Sequence, residues 1–152
     1  MVTIAFLLAL EVVSVPTLPP GWNHDYDLAL QRASAAKKPL AVFIGTGKEG
    51  WKAVCAEGDL GPEVRRLLAD HYVCLYVDAS RLAQQELVQS FEADKSPLLV
   101  LSTRDRAYQA YRHAGALANA NLAKALTRYA MEEPVSPPAP AATVYYEAPC
   151  RT

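Results

Sequence analysis

The sequence predicts one α/β domain with a mixed sheet of about four strands and helices on both faces. Three observations point there. Helical and strand patterns alternate as helix, strand, helix, strand, helix, strand, strand, helix. Leu40-Ala41-Val42-Phe43-Ile44 is an unbroken apolar run, as expected of a strand covered on both faces. The last two strands, Leu98–Leu101 and Ala107–Arg112, are joined by the turn Thr103-Arg104-Asp105-Arg106. A parallel βαβ unit closed by a hairpin and a helix admits few topologies. The chain has 152 residues, enough for one core.

Each element has a local cause. Asp25 can cap a helix over Tyr26–Lys37, with Leu30, Ala33 and Ala36 or Lys37 on one stripe. Pro39 ends it before the first strand. A glycine-rich turn (Gly45, Gly47, Gly50) leads to a short helix from about Trp51, broken by Gly58 and Gly61. Pro62 suits the first position of the next helix, where its missing N–H costs nothing, and Val64, Leu67 and Leu68 mark the buried face. Tyr72–Val77 reads as the second strand, closed by Asp78. A helix over Ser80–Ala93 should bury Leu87, Val88 and Phe91. Ser96-Pro97 opens the third strand, and Gly115 ends the strand region. The last helix starts near Asn119 and presents Leu122, Ala125, Leu126 and Tyr129.

The ends differ in character. Residues 1–21 comprise the apolar run Met1–Leu10 and a proline-rich linker, and residues 132–152 form a Pro- and Ala-rich tail expected to be disordered. The folded unit is expected over residues 22–131. The apolar run is too short to span a bilayer. It has the length of an export signal's core but no preceding Lys or Arg, with Glu11 near its end and Pro16 hindering cleavage after Val15. Two readings stay open: a signal sending the protein to the periplasm or cell envelope, or an apolar segment packed on a cytoplasmic domain.

Composition narrows the chemistry. A formal net charge of -1 offers no field for a nucleic-acid backbone. With 51% hydrophobic and 20% charged residues the chain is of the globular type. Three cysteines, never in a Cys-x-x-Cys pair, form neither a disulfide framework nor a zinc site. His24, His71 and His113 are scattered, with no second ligand at metal spacing, so no metal is expected. No cofactor is expected either.

A set of residues in order carries a resemblance. Trp22 precedes an Ala-rich helix ending at Lys38-Pro39; Phe43 lies in the first strand and Lys52 follows the turn. Pro62-Glu63-Val64 precedes Tyr72-Val73, Asp78 closes the second strand, Pro97 opens the third, and Gly115-Ala116-Leu117 precedes the last helix. Over residues 22–131 this resembles the thioredoxin superfamily, most nearly the bacterial thioredoxin-like branch that opens with Trp, a helix and Lys-Pro. The resemblance implies a three-layer fold and places the family's Cys-x-x-Cys on Lys48-Glu49-Gly50-Trp51. Dithiol exchange needs an exposed thiolate of lowered pKa and a resolving cysteine, and Lys48 and Trp51 supply neither. The family's buried acidic residue before the strand's Phe corresponds to Val42. The resemblance also implies a cis Ser96–Pro97 bond, with Ser96's backbone able to pair with an extended peptide.

The leading expectation is therefore a redox-inactive module that binds a protein or extended peptide through Gly47, Lys48, Glu49, Gly50, Trp51, Ser96 and Pro97, with no catalytic residue. Trp51 can be an exposed recognition residue or part of the core. Two other functions are weighed. Cys55, one helical turn past Trp51, could serve a monothiol oxidoreductase or peroxidase, although a buried structural thiol is the plainer reading. Cys74 alternates into the core, and Cys150 lies in the tail. Gly45-Thr46-Gly47-Lys48-Glu49-Gly50 spells a dinucleotide fingerprint, with Asp78 as its acidic residue. Asp78 lies beyond that motif's spacing, and Trp51 stands where a triphosphate loop needs lysine. Oligomeric state is left open.

Overall fold

In the computed structural model, residues 21–106 and 109–131 are described. The expectations for residues 1–20, for Ala107 and Tyr108, and for the tail with Cys150 fall outside the described residues.

The first helix, α1 (Tyr26–Ala36), starts where the Asp25 carboxylate accepts the Leu28 N–H at 2.9 Å. It stops one residue before the expected end, because Lys37 turns into the left-handed region at φ 53°. Its buried residues are Ala29 and Ala33, while Ala36 and Lys37 are exposed. The expected stripe holds at Ala33 and at half-buried Leu30 and fails at Ala36 and Lys37.

β1 (Leu40–Gly45) is buried at every position. A 3-10 helix over Gly50–Val54 follows, then α2 (Pro62–His71), with Pro62 in its first turn and Val64 and Leu68 buried. β2 (Val73–Asp78) incorporates Asp78 rather than ending before it. The long helix expected over Ser80–Ala93 is instead a 3-10 turn, Leu82–Gln84, and the short α3 (Gln85–Ser90). Glu92 breaks it with a φ of 48°. β3 (Leu98–Ser102) pairs with β4 (Gln109–Ala114), which runs two residues past the expected end at Arg112. α4 (Asn119–Met131) buries Leu122, Ala123, Leu126 and Ala130, so Ala125 and Tyr129 sit beside the buried stripe.

The sheet order is β2-β1-β3-β4, with β1 parallel to β2 and the other two pairs antiparallel. Strand alternation divides the core in two. Ala41, Phe43, Cys74, Tyr76, Leu99 and Leu101 face α2 and α4. Leu40, Val42, Ile44, Leu75, Val77, Leu98 and Val100 face α1 and α3. The outer edge of β2 is partly closed by Asn23, whose backbone exchanges hydrogen bonds with Cys74 and Tyr76 at 3.0 and 2.9 Å.

Candidate functional site

Strand register assembles the site. Gly45 pairs with Asp78, Ile44 with Leu98, and Leu98 with Ala114, so Gly45, Asp78, Pro97 and Gly115 meet at one end of the sheet. The loop from Thr46 to Glu49 projects there.

That loop is held from beneath by β2. The Gly47 N–H donates to Asp78 Oδ1 at 2.9 Å, and the Tyr76 hydroxyl donates to the Gly47 carbonyl. The Ala79 N–H donates to the Gly45 carbonyl at 2.8 Å. Asp78 also accepts from the Ser80 hydroxyl at 2.6 Å and the Ser80 N–H at 3.0 Å. The Ser80 hydroxyl and then the Gly47 N–H hold its carboxyl below the usual range. Gly47 needs its glycine for a φ of +83°. Gly45 and Gly50 need theirs for contact: a Cβ on Gly45 would stand 2.5 Å from the Gly50 carbonyl carbon, and one on Gly50 would strike the Tyr76 hydroxyl.

This geometry tells against the dinucleotide reading. The Gly47 donor already serves Asp78, and Asp78 serves the loop. A five-residue 3-10 helix stands where a phosphate-binding helix would begin.

The rim is aromatic and charged. Trp51 is half-buried, with its ring 5.3 Å from Trp22 and Lys52 Nζ 5.5 Å above it. It belongs to core and surface at once. Trp22 meets Phe43 edge-on at 5.0 Å, and its buried indole Nε1 has no hydrogen-bond partner among the described residues. Lys48 and Glu49 are exposed, and Glu49 pairs with Lys52 at 2.8 Å. Ser96 is exposed, Pro97 is half-buried, and the bond between them is cis. The Pro97 carbonyl accepts from Gly115 at 2.8 Å, while the Ser96 backbone has no partner among the described residues.

Cys55 is 3% exposed in extended backbone just past the 3-10 helix, not within a helix. Its thiol lies 3.4 Å from Asn119 Oδ1. Burial, then the Glu57 and Asp59 carboxylates, pushes it up to about 11. Cys74 is 2% exposed, and burial pushes it up to about 12. A nucleophilic thiol needs the opposite shift and an open face. His24 is exposed beside Tyr76, and His113 stacks on Tyr111. No cluster of three His, Cys, Asp or Glu suited to a metal occurs among the described residues.

Two residues of this region were not singled out from sequence. Tyr76 pins the loop, and Asn119 links Gly61, Asp59 and Cys55 through its side-chain amide. Strand alternation placing Tyr76 on Phe43's face was the available signal for the first. Nothing local marks Asn119.

Solved structures share this fold. A thioredoxin from Thermus thermophilus superposes with a TM-score of 0.57 at 23% identity, over 70% of this chain and 84% of its own. A DsbH oxidoreductase gives 0.61 at 16% identity, over 86% of this chain and 96% of its own. The fold is thioredoxin-like. A mutant thioredoxin from Halobacterium salinarum gives 0.54 at 17% identity, over 76% of this chain and 95% of its own. At such identities the likeness concerns the thioredoxin-like fold alone. No protein-family model matches the chain, and no curated protein matches it significantly.

Proposed function

We propose that residues 22–131 form a thioredoxin-like domain that binds an extended protein segment and performs no thiol chemistry. The observation that carries this reading is the pairing of two features at one end of the sheet. Lys48 and Trp51 stand where the resemblance puts the cysteines, and the exposed Ser96 offers an unpaired backbone beside them. An added strand would take main-chain hydrogen bonds from Ser96 and side-chain contact from Trp51. Lys48, Glu49 and Lys52 would select its charges.

The chain's two tryptophans both lie at this rim, so intrinsic fluorescence reports occupancy directly. Peptides selected from a random library on the folded protein should change that emission and shift the amide resonance of Ser96. Trp51→Ala should weaken them by about 1–3 kcal/mol, the range of an aromatic anchor. Binders that map elsewhere and ignore Trp51→Ala would end the proposal.

The monothiol alternative has its own test. Under native conditions Cys55 and Cys74 should react with a maleimide far more slowly than in urea, and the protein should not accelerate insulin reduction by dithiothreitol. Turnover abolished by Cys55→Ser would reinstate the enzyme.

A further inference from the structure

The sheet face covered by α1 and α3 holds a recess of about 200 Å³. The buried side chains of Leu40, Val42 and Val100 line it from β1 and β3. Half-buried Tyr26 and Leu30 line it from α1, and half-buried Phe91 from the end of α3. The Tyr26 and Phe91 rings meet edge-on at 6.2 Å. The remaining lining residues, Ser102, Arg106 and Gln109, are polar. Register gathers them at one end. Val42 pairs with Val100, so Ser102 lies beside Leu40 at the start of β1, and Gln109 pairs with Ser102. The recess is therefore an apolar slot with a polar mouth.

The charge at that mouth is Arg106. It takes the left-handed region at φ 62°, and its half-buried side chain reaches back to α1. The guanidinium donates to the Ala33 carbonyl at 3.3 Å, to the Ser34 hydroxyl at 3.2 Å and to the Arg104 carbonyl at 3.2 Å. Capping the end of α1 thus accounts for three of its N–H groups. A guanidinium has about five. The Nε N–H and one Nη2 N–H meet no acceptor among the described residues, and these two form one side of the fork that matches a carboxylate. Arg106 makes no ion pair with a described carboxylate, and the neighbouring Asp105 accepts from the Thr103 hydroxyl. A partly desolvated cation without a counter-charge favours an anion beside it. Ser102 offers nothing more, since its hydroxyl accepts the Leu40 N–H at 2.8 Å and donates to the Thr103 carbonyl at 3.0 Å.

We propose that this recess binds a small amphipathic carboxylate, a short-chain aliphatic acid. Its chain lies on Leu40, Val42 and Val100, and its carboxylate takes the open side of the Arg106 guanidinium. The exposed Gln109 amide adds a donor at the rim. Size sets the length: the volume falls below the ~300–1,000 Å³ of pockets for drug-sized ligands. At roughly 30 Å³ for a water-sized group, about seven chain atoms fill it, leaving the headgroup at the mouth. The recess lies on the opposite side of the sheet from Trp22 and Trp51, which pack on the other half of the core. It is thus independent of the peptide-binding reading.

The test is titration of the full chain with octanoate at neutral pH, followed by amide chemical shifts. The shifts should centre on Leu40, Val100, Ser102 and Arg106, with a Kd of about 1 mM or tighter, ordinary for about ten non-hydrogen atoms. Octanol keeps the chain and lacks the charge. It should bind at least about tenfold more weakly, the low end for a hydrogen bond to a charged group. Acetate keeps the charge and lacks the chain, and should give no shifts at the same concentration. Arg106→Gln should repeat the tenfold loss for octanoate and leave octanol as in the parent. Leu30→Trp enlarges the α1 wall while keeping Arg106, and should weaken both ligands even if Arg106→Gln fails to fold. The proposal is overturned by no shifts at about ten times that Kd, or by shifts centred on Ser96 and Trp51. Equal binding of octanoate to octanol or to acetate overturns it too, as does parental octanoate affinity in either variant.

Discussion

Gly45→Ala destabilises the protein by about 3 kcal/mol, the upper part of the range for forcing a methyl into a filled interior. The new Cβ meets the Gly50 carbonyl carbon and oxygen at 2.5 Å, and both are backbone atoms that cannot swing aside. Gly45 is paired on one side to Asp78 in β2, so the strand cannot retreat without breaking the sheet. Gly47→Ala makes the comparison. Its Cβ meets nothing within 4 Å, and its cost is only the left-handed φ of +83°, about 1 kcal/mol. Urea denaturation of the two variants beside the parent measures the difference. Equal losses would mean that the turn does not fold back on β1.

The second large effect belongs to Asp78. Asp78→Ala should cost about 3 kcal/mol, since hydrogen bonds to a charged group contribute about 1.5–3 kcal/mol each and three such bonds overlap at one carboxylate. The pH dependence identifies the carboxylate as the cause. The Ser80 hydroxyl and the Gly47 N–H keep the folded group's pKa below its ordinary value of about 3.9, which the unfolded chain recovers. The carboxylate's contribution is therefore fully present above about pH 4 and is lost as pH falls through the lower, folded value. The stability gap between parent and Asp78→Asn should be constant near neutrality and narrow in acid. A gap that persists unchanged to the lowest pH at which the parent folds would assign the effect to packing.

Much of the scaffold was readable because its strands are unambiguous. The apolar runs of β1 and β3 and the proline opening α2 lie where the residues indicated. The misplacements share a cause, which is weak contrast between faces. β4 reads Gln109-Ala110-Tyr111-Arg112-His113-Ala114 and is only half-buried at best, so alternation could not fix its register. α1 is rich in alanine, and alanines on every side leave its phase undetermined. The segment after Asp78 has helical composition, yet the Asp78 carboxylate accepts from the Ser80 N–H, the Gln84 side-chain oxygen accepts from the Asp78 N–H, and only six residues remain α-helical. At the site, the loop's residue types were legible. Its attachment to Tyr76 and Asp78 was not, because a strand tyrosine looks the same whether its hydroxyl meets solvent or a glycine carbonyl 29 residues away in sequence.

The tilted pair of Trp22 and Trp51 limits what position 51 can become. The position that the resemblance assigns to a second cysteine holds a large ring, packed on another large ring that in turn meets Phe43. A cysteine there would strip Trp22 of part of its cover, and because Trp51 is half-buried the loss should stay below the roughly 3 kcal/mol of truncating a fully buried aromatic. Lys48 would have to change as well, and Val42 would still offer no carboxylate below. A cysteine pair at these two positions therefore cannot be introduced one neutral substitution at a time, because the first change costs stability before the second can supply any activity.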